Sequence, residues 1–226
     1  MNAKLKKNIV DLIILTGLPF LIIYVVYPKL IFLFDINKFG LKEFLLMLCF
    51  QFASAGLGSV LVMLIRRENF ANFGLVKKNA LKAILLSPLV YIPQIILTLS
   101  TYKNFVYIPM QHAIGPKALI HLNLFEKIIA YFIIITIWGF FEGFNCVVIS
   151  DKVNRIFNSK NLFLNSGAIF CAVFMILIHL LLGACPMGWL DIIATFIIIY
   201  GMLVIREYTQ NSWGCIFLFI FFWNAF

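Results

Sequence analysis

Seven apolar stretches bounded by charge, at about 9–27, 44–65, 81–100, 128–150, 166–186, 187–205 and 212–226, leave this chain few ways to fold. A helix rises about 1.5 Å per residue, so roughly 20 apolar residues cross a bilayer core of about 30 Å. The surrounding composition excludes a soluble globular domain, because 63% of residues are hydrophobic and only 12% charged, with 25 phenylalanines and a mean hydropathy of +1.03. The expectation is an all-α, polytopic transmembrane helical bundle of about seven spans, six to eight, forming one membrane-embedded domain over 1–226. The last stretch, at fifteen residues, reaches only about 22 Å. It must start earlier, sit where the bilayer is thin, or stop inside the protein.

The opening "MNAKLKKNIVDLIILTGLPF" sets three lysines before an apolar run, as a signal peptide does. That run is long enough to span and no small-residue cleavage site closes it, so it reads as a retained first helix. The five cysteines show no CxxC pairing and read as small buried hydrophobes rather than a disulfide or zinc framework. "CPMG" between the fifth and sixth stretches is a tight-turn signal.

Loop charge orients the bundle. With the N-terminus inside, twelve of the eighteen Lys and Arg residues fall on the cytoplasmic side, namely those near 4–7, 66–82, 152–160 and 206. The positive-inside rule therefore places the N-terminus in the cytoplasm of an integral membrane protein, by expectation the cell membrane. The net charge of +9 follows largely from this topology. It calls for contact with anionic lipid in the bilayer and for no nucleic acid, since no aromatic-interleaved basic patch accompanies it. The longest connection, 101–127, carries His112 and His121, whose nine-residue separation in a Pro-containing loop does not match zinc-ligand spacing. It reads as a surface or re-entrant segment.

Polar groups inside the apolar runs are the candidate functional residues. On a helix Gly139, Glu142, Gly143 and Cys146 share one face at i, i+3, i+4 and i+7, with Asn145 at its margin. An acid within the membrane costs several kcal/mol unless it is paired, wet or protonated. Small residues beside it imply a face pressed against protein, and Gly139-x-x-x-Gly143 allows close helix approach. His179 shares a stripe with Ala168, Ala172, Met175 and Gly183, and Asn224 lines up with Ile220, Phe217 and Trp213. Measured from Asp151, Ser166 and Ser212, the depths of Glu142, His179 and Asn224 are roughly 14, 20 and 18 Å, a spread that helix tilt can absorb. Asp191 and Thr195 in the sixth stretch, and Asp11 in the first, read as structural polar residues.

A Glu-bearing span, a His-bearing span and then "YGMLVIREYTQNSWGCIFLFIFFWNAF" together resemble the CAAX protease and bacteriocin-processing (CPBP) family of intramembrane proteases. The likeness is clearest over about 128–226, with a weaker echo in "NFANFGLVKKNALKAI". The family's motifs are Glu-Glu-x-x-x-Arg, Phe-x-x-x-His and His-x-x-x-Asn. Glu142 matches the glutamate site, His179 the second motif's histidine with Met175 in place of Phe, and Asn224 the third motif's asparagine. The chain departs from the pattern in having one Glu in "FEGFNC", Cys146 or Val147 where Arg is expected, and Ile220 at the third motif's His.

The resemblance implies an intramembrane endopeptidase in which Glu142 activates water as general base, while His179 and Asn224 stabilise the oxyanion; Asn145, by its position beside Glu142, is the candidate to substitute as a further donor. Its substrate would be a membrane-associated peptide or protein. A divalent metal cofactor and no cofactor at all both stay open. The alternative is a family member without catalysis, acting as a bacteriocin-immunity protein or a scaffold for another membrane protein. A small transporter would also use intramembrane acids, but no inverted repeat accompanies them.

Overall fold

The computed structural model describes residues 3–33, 41–101, 107–110, 123–159, 161–183, 188–223 and 225. Among them the regular structure is entirely helical. The elements are α1 (Ala3–Leu33), α2 (Leu41–Ala55), α3 (Leu57–Arg66), α4 (Ala80–Leu86) and α5 (Ile92–Thr101). They continue with α6 (Leu124–Ile134), α7 (Glu142–Phe157), α8 (Ser166–Leu181), α9 (Trp189–Thr209) and α10 (Trp213–Leu218). A 3₁₀ turn, Ser87–Tyr91, joins α4 to α5, with Pro88 removing a backbone donor from the α-helical ladder. Two π-helical segments, Ile135–Phe141 and Phe219–Trp223, join α6 to α7 and extend α10.

Among the described residues four helical runs suit a membrane crossing by length and composition: Ala3–Leu30, Ala80–Thr101, Leu124–Phe157 and Trp189–Thr209. A fifth is the pair α2 and α3, bent by 50°. The bend falls at Gly56, where an added Cβ would lie 2.9 Å from both the Phe141 and Phe52 side chains. The count of seven is not reached on this measure. α8 has sixteen residues and Trp213–Trp223 has eleven, lengths of about 24 and 16 Å against a core of about 30 Å. Of the expected "CPMG" turn only Gly188 is described, at φ +65°.

α7 lies at the centre. Residues 142–150 are buried without interruption, so no face of this stretch meets lipid, and that is why it can carry Glu142, Asn145 and Ser150. α8 runs antiparallel beside it. Gly167 packs against the Ser150 carbonyl with no room for a Cβ, and the Cys171 thiol points at the Cys146 carbonyl at 3.6 Å. α1 lies along α7, and α10 is pressed onto α4 at Gly214, where a Cβ would come within 2.5 Å of the Ala83 carbonyl oxygen. The chain segments near 3–11, 66–79, 151–166 and 206–213 gather at one end of the bundle, tied by ion pairs and loop hydrogen bonds. The described cations assigned to one side by loop charge thus share one end.

Candidate functional site

Glu142 opens α7 immediately after the first π segment. It is 6% exposed, and among the described residues its hydrogen-bond partner is Gln51 of α2, whose Nε2 donates to Oε2 at 3.1 Å. Hydropathy passes over Gln51. Its signal was available, as a lone carboxamide in the apolar run "LCFQFASAG" that needs a partner as much as Glu142 does. The glycine face expected around the acid is pressed against the C-terminal π segment. Ile220 fills the space a Gly139 Cβ would need, and Phe219 lies 3.1 Å from where a Gly143 Cβ would stand.

Asn145, one turn further along α7, is 5% exposed, and its side-chain carbonyl oxygen has no hydrogen-bond partner among the described residues. A buried acceptor left unmade costs about 1–3 kcal/mol. It lies on the face of α7 that also carries Lys152, seven residues away, and Lys152 reaches Asp11 of α1.

His179 lies in the last turn of α8. The antiparallel pairing of Ser150 with Gly167 and Cys146 with Cys171 extends to Glu142 opposite Met175 and Trp138 opposite His179. His179 therefore sits about 6 Å, one helical turn, beyond the level of Glu142. No hydrogen bond or ion pair joins the two side chains. The imidazole instead packs on Trp223, ring centroids 5.4 Å apart, and Trp223 packs on Phe219 at 5.0 Å. The histidine thus ends an aromatic column that runs through Trp223 to Phe219, beside Gly143. Asp191 lies within electrostatic reach of His179. Asn224, His112 and His121 lie outside the described residues. Among the described residues no group of three His, Cys, Asp or Glu side chains is placed to hold a metal ion.

A second polar constellation was not anticipated from sequence. Eight charged side chains of alternating sign form a continuous ladder at the loop end: Arg66, Asp11, Lys152, Glu68, Arg155, Asp151, Arg206 and Glu207. Arg66 Nε lies 2.7 Å from Asp11 Oδ1, and Lys152 Nζ lies 3.0 Å from Asp11 Oδ2 and 2.6 Å from Glu68 Oε2. Arg155 joins Glu68 at 2.9 Å to Asp151 at 2.7 Å, and Arg206 joins Asp151 at 3.5 Å to Glu207. Lys152 and Asp11 are almost fully buried, while Phe73 closes the site beneath Lys152. Burial pushes the Glu68 carboxyl up, but Lys152 and Arg155 outweigh it and hold the group below its ordinary value of 4.5.

The "NFANFGLVKKNA" segment is fastened over this end. Asn69 and Asn72 cap each other across the 3₁₀ turn Phe70–Phe73. Ser212 binds the Phe73 and Gly74 carbonyls, and Asn211 donates to those of Val76 and Lys78. No family model, no curated protein and no solved structure matches the chain.

Proposed function

We propose that this chain is a CPBP-like integral membrane protein that binds another membrane protein or peptide, with Glu142 serving as an internal hydrogen-bond partner. The observation that carries this reading is the closure around the acid. Glu142 accepts from Gln51, and Ile220, at the place of the family's third-motif histidine, is packed onto Gly139. The described residues bring no histidine, cation or second carboxylate into a hydrogen bond or ion pair with it. A general base needs the reacting water within about 3 Å and a path for its proton. The groups around Glu142 are suited to hold helices together.

One observation favours the hydrolytic reading as a second. The unpartnered Asn145 carbonyl oxygen lies one turn from Glu142 and calls for a donor. A water donating to both groups would be the nucleophile, with Glu142 taking its proton. His179, whose ring packs on Trp223, would then have to reach the oxyanion from the far side of that indole.

Thermal unfolding in detergent separates the roles of the acid. Under the binding reading, Glu142→Gln keeps the bond to Gln51 and stays close to wild type. Glu142→Ala and Gln51→Ala are each destabilised, with a coupling of about 0.6–1.7 kcal/mol between them. A Gln variant as unstable as the Ala variant removes the support for this reading.

A further inference from the structure

The ladder divides the basic residues of the loop end into two sets. Arg66, Lys152, Arg155 and Arg206 are neutralised inside the protein. Arg67, Lys77 and Lys78 are exposed and have no ion-pair partner among the described residues. Lys82 is exposed as well, its ammonium 4.2 Å above the ring of Tyr208, itself 56% exposed. These cations are not on a loose tail. The loop that carries them is held by Asn211 at Val76 and Lys78, and by Asn79 donating to the Thr209 carbonyl at 2.9 Å.

An apolar stripe begins where the cations end. Leu81, Leu85, Leu89, Ile92 and Ile96 are 69, 67, 57, 46 and 61% exposed along one side of the span Ala80–Thr101. The opposite side of α4 is locked onto Gly214, so the stripe cannot turn inward. Lys78 lies in the turn before α4, followed by Asn79 in a left-handed conformation, and Lys82 lies in the first turn of α4, so both cations stand at the end of the span from which the stripe runs. A cationic cap over a lipid-length apolar stripe matches a molecule with an anionic head and hydrocarbon tails.

We infer that the face formed by Lys78, Lys82, Tyr208, Leu81 and Leu85 is a binding site for an anionic phospholipid of the adjacent leaflet. The headgroup phosphate sits between the two ammonium groups, and an acyl chain lies along Leu81 and Leu85. Tyr208 fixes the Lys82 ammonium through its ring face, which pre-positions one of the two charges. The assignment depends only on membrane insertion and stands whichever role Glu142 has.

The test uses the full-length protein in mild detergent, incubated with phosphatidylglycerol or phosphatidylcholine, with retained lipid counted by native mass spectrometry. Wild type is expected to retain phosphatidylglycerol preferentially. Each surface cation contributes about 1 kcal/mol toward anionic lipid, so Lys78→Gln with Lys82→Gln should lower the preference roughly 5- to 30-fold. Lys78→Arg with Lys82→Arg should keep the preference, and so should Lys29→Gln, which removes one charge from α1 far from this loop. An undiminished preference in the double Gln variant would overturn the site. Full displacement of the lipid by inorganic phosphate would also overturn it, by assigning the cations to a soluble anion.

Discussion

At the residue scale, Lys152 shows how charge can be carried into an apolar bundle. Its ammonium lies between Asp11 and Glu68, so its removal takes one counter-charge from each, leaving the buried Asp11 to Arg66 alone and Glu68 to Arg155 alone. Breaking a buried pair from one side costs about 3–5 kcal/mol, whereas replacing both partners with apolar groups is often neutral. Lys152→Met alone should therefore unfold in detergent well below wild type. Adding Asp11→Leu should recover part of that loss, and strict additivity of the two changes would contradict the ladder. Glu68 adds a pH dependence. Because its folded-state value lies below 4.5, its contribution is complete above that pH and disappears as pH falls through the lower value. Thermal unfolding followed from about pH 6 to about pH 3 should show a steeper acid loss for wild type than for Glu68→Gln.

Why the ladder escaped the sequence while Glu142 did not is also a residue-scale matter. Glu142, Gly139 and Gly143 stand out because polar and small residues in a hydrocarbon run are recognised by spacing within one helix. Lys152 follows the apolar stretch within α7 and Arg206 sits in the last turn of α9, and both read as ordinary loop cations under charge counting. Their partners Asp11, Glu68 and Asp151 come mostly from other helices, and periodicity carries no information across such distances. Asn145 was singled out by its place beside the acid. Its unpartnered carbonyl depends on what the neighbouring helices present.

At the scale of elements, the two π segments decide how the centre is built. Ile135–Phe141 leads into Glu142, and Phe219–Trp223 carries Ile220 onto Gly139. π segments are uncommon and recur at functional sites, where the added residue re-aims side chains. Hydropathy could not reveal them, because "ITIWGFF" and "FIFFW" are apolar on every side and no stripe records the change of hydrogen-bond register. Gly139→Ala places a methyl where Ile220 already stands, and an overpacked core typically loses about 1–3 kcal/mol. Ile220→Ala in the same chain should return most of that stability. Failure of this rescue, read as unfolding temperature, would separate the two segments. The seven apolar stretches were legible as helices for the opposite reason, since their length and charge boundaries are local. The number of crossings was not, because the bend between α2 and α3 and the short described lengths of α8 and Trp213–Trp223 are not written in hydropathy.

Over the whole molecule, the arrangement is a helical bundle with α7 at its axis, a charge ladder closing one end, and Glu142 about 14 Å deeper along that axis. The ladder end gathers the N-terminal helix with the segments near 66–79, 151–166 and 206–213. Positive-inside bias would assign that end to the cytoplasm. α8 and the final helical run are shorter than a bilayer core, and His179 and Trp223 stand at their far ends, away from the ladder. The most direct test of the non-hydrolytic reading compares membrane-peptide termini in cells expressing wild type, Glu142→Gln or His179→Ala at matched levels. The account predicts the same set of termini in all three. Termini that appear with wild type and vanish in both variants would contradict it and make Glu142 the base of a working protease.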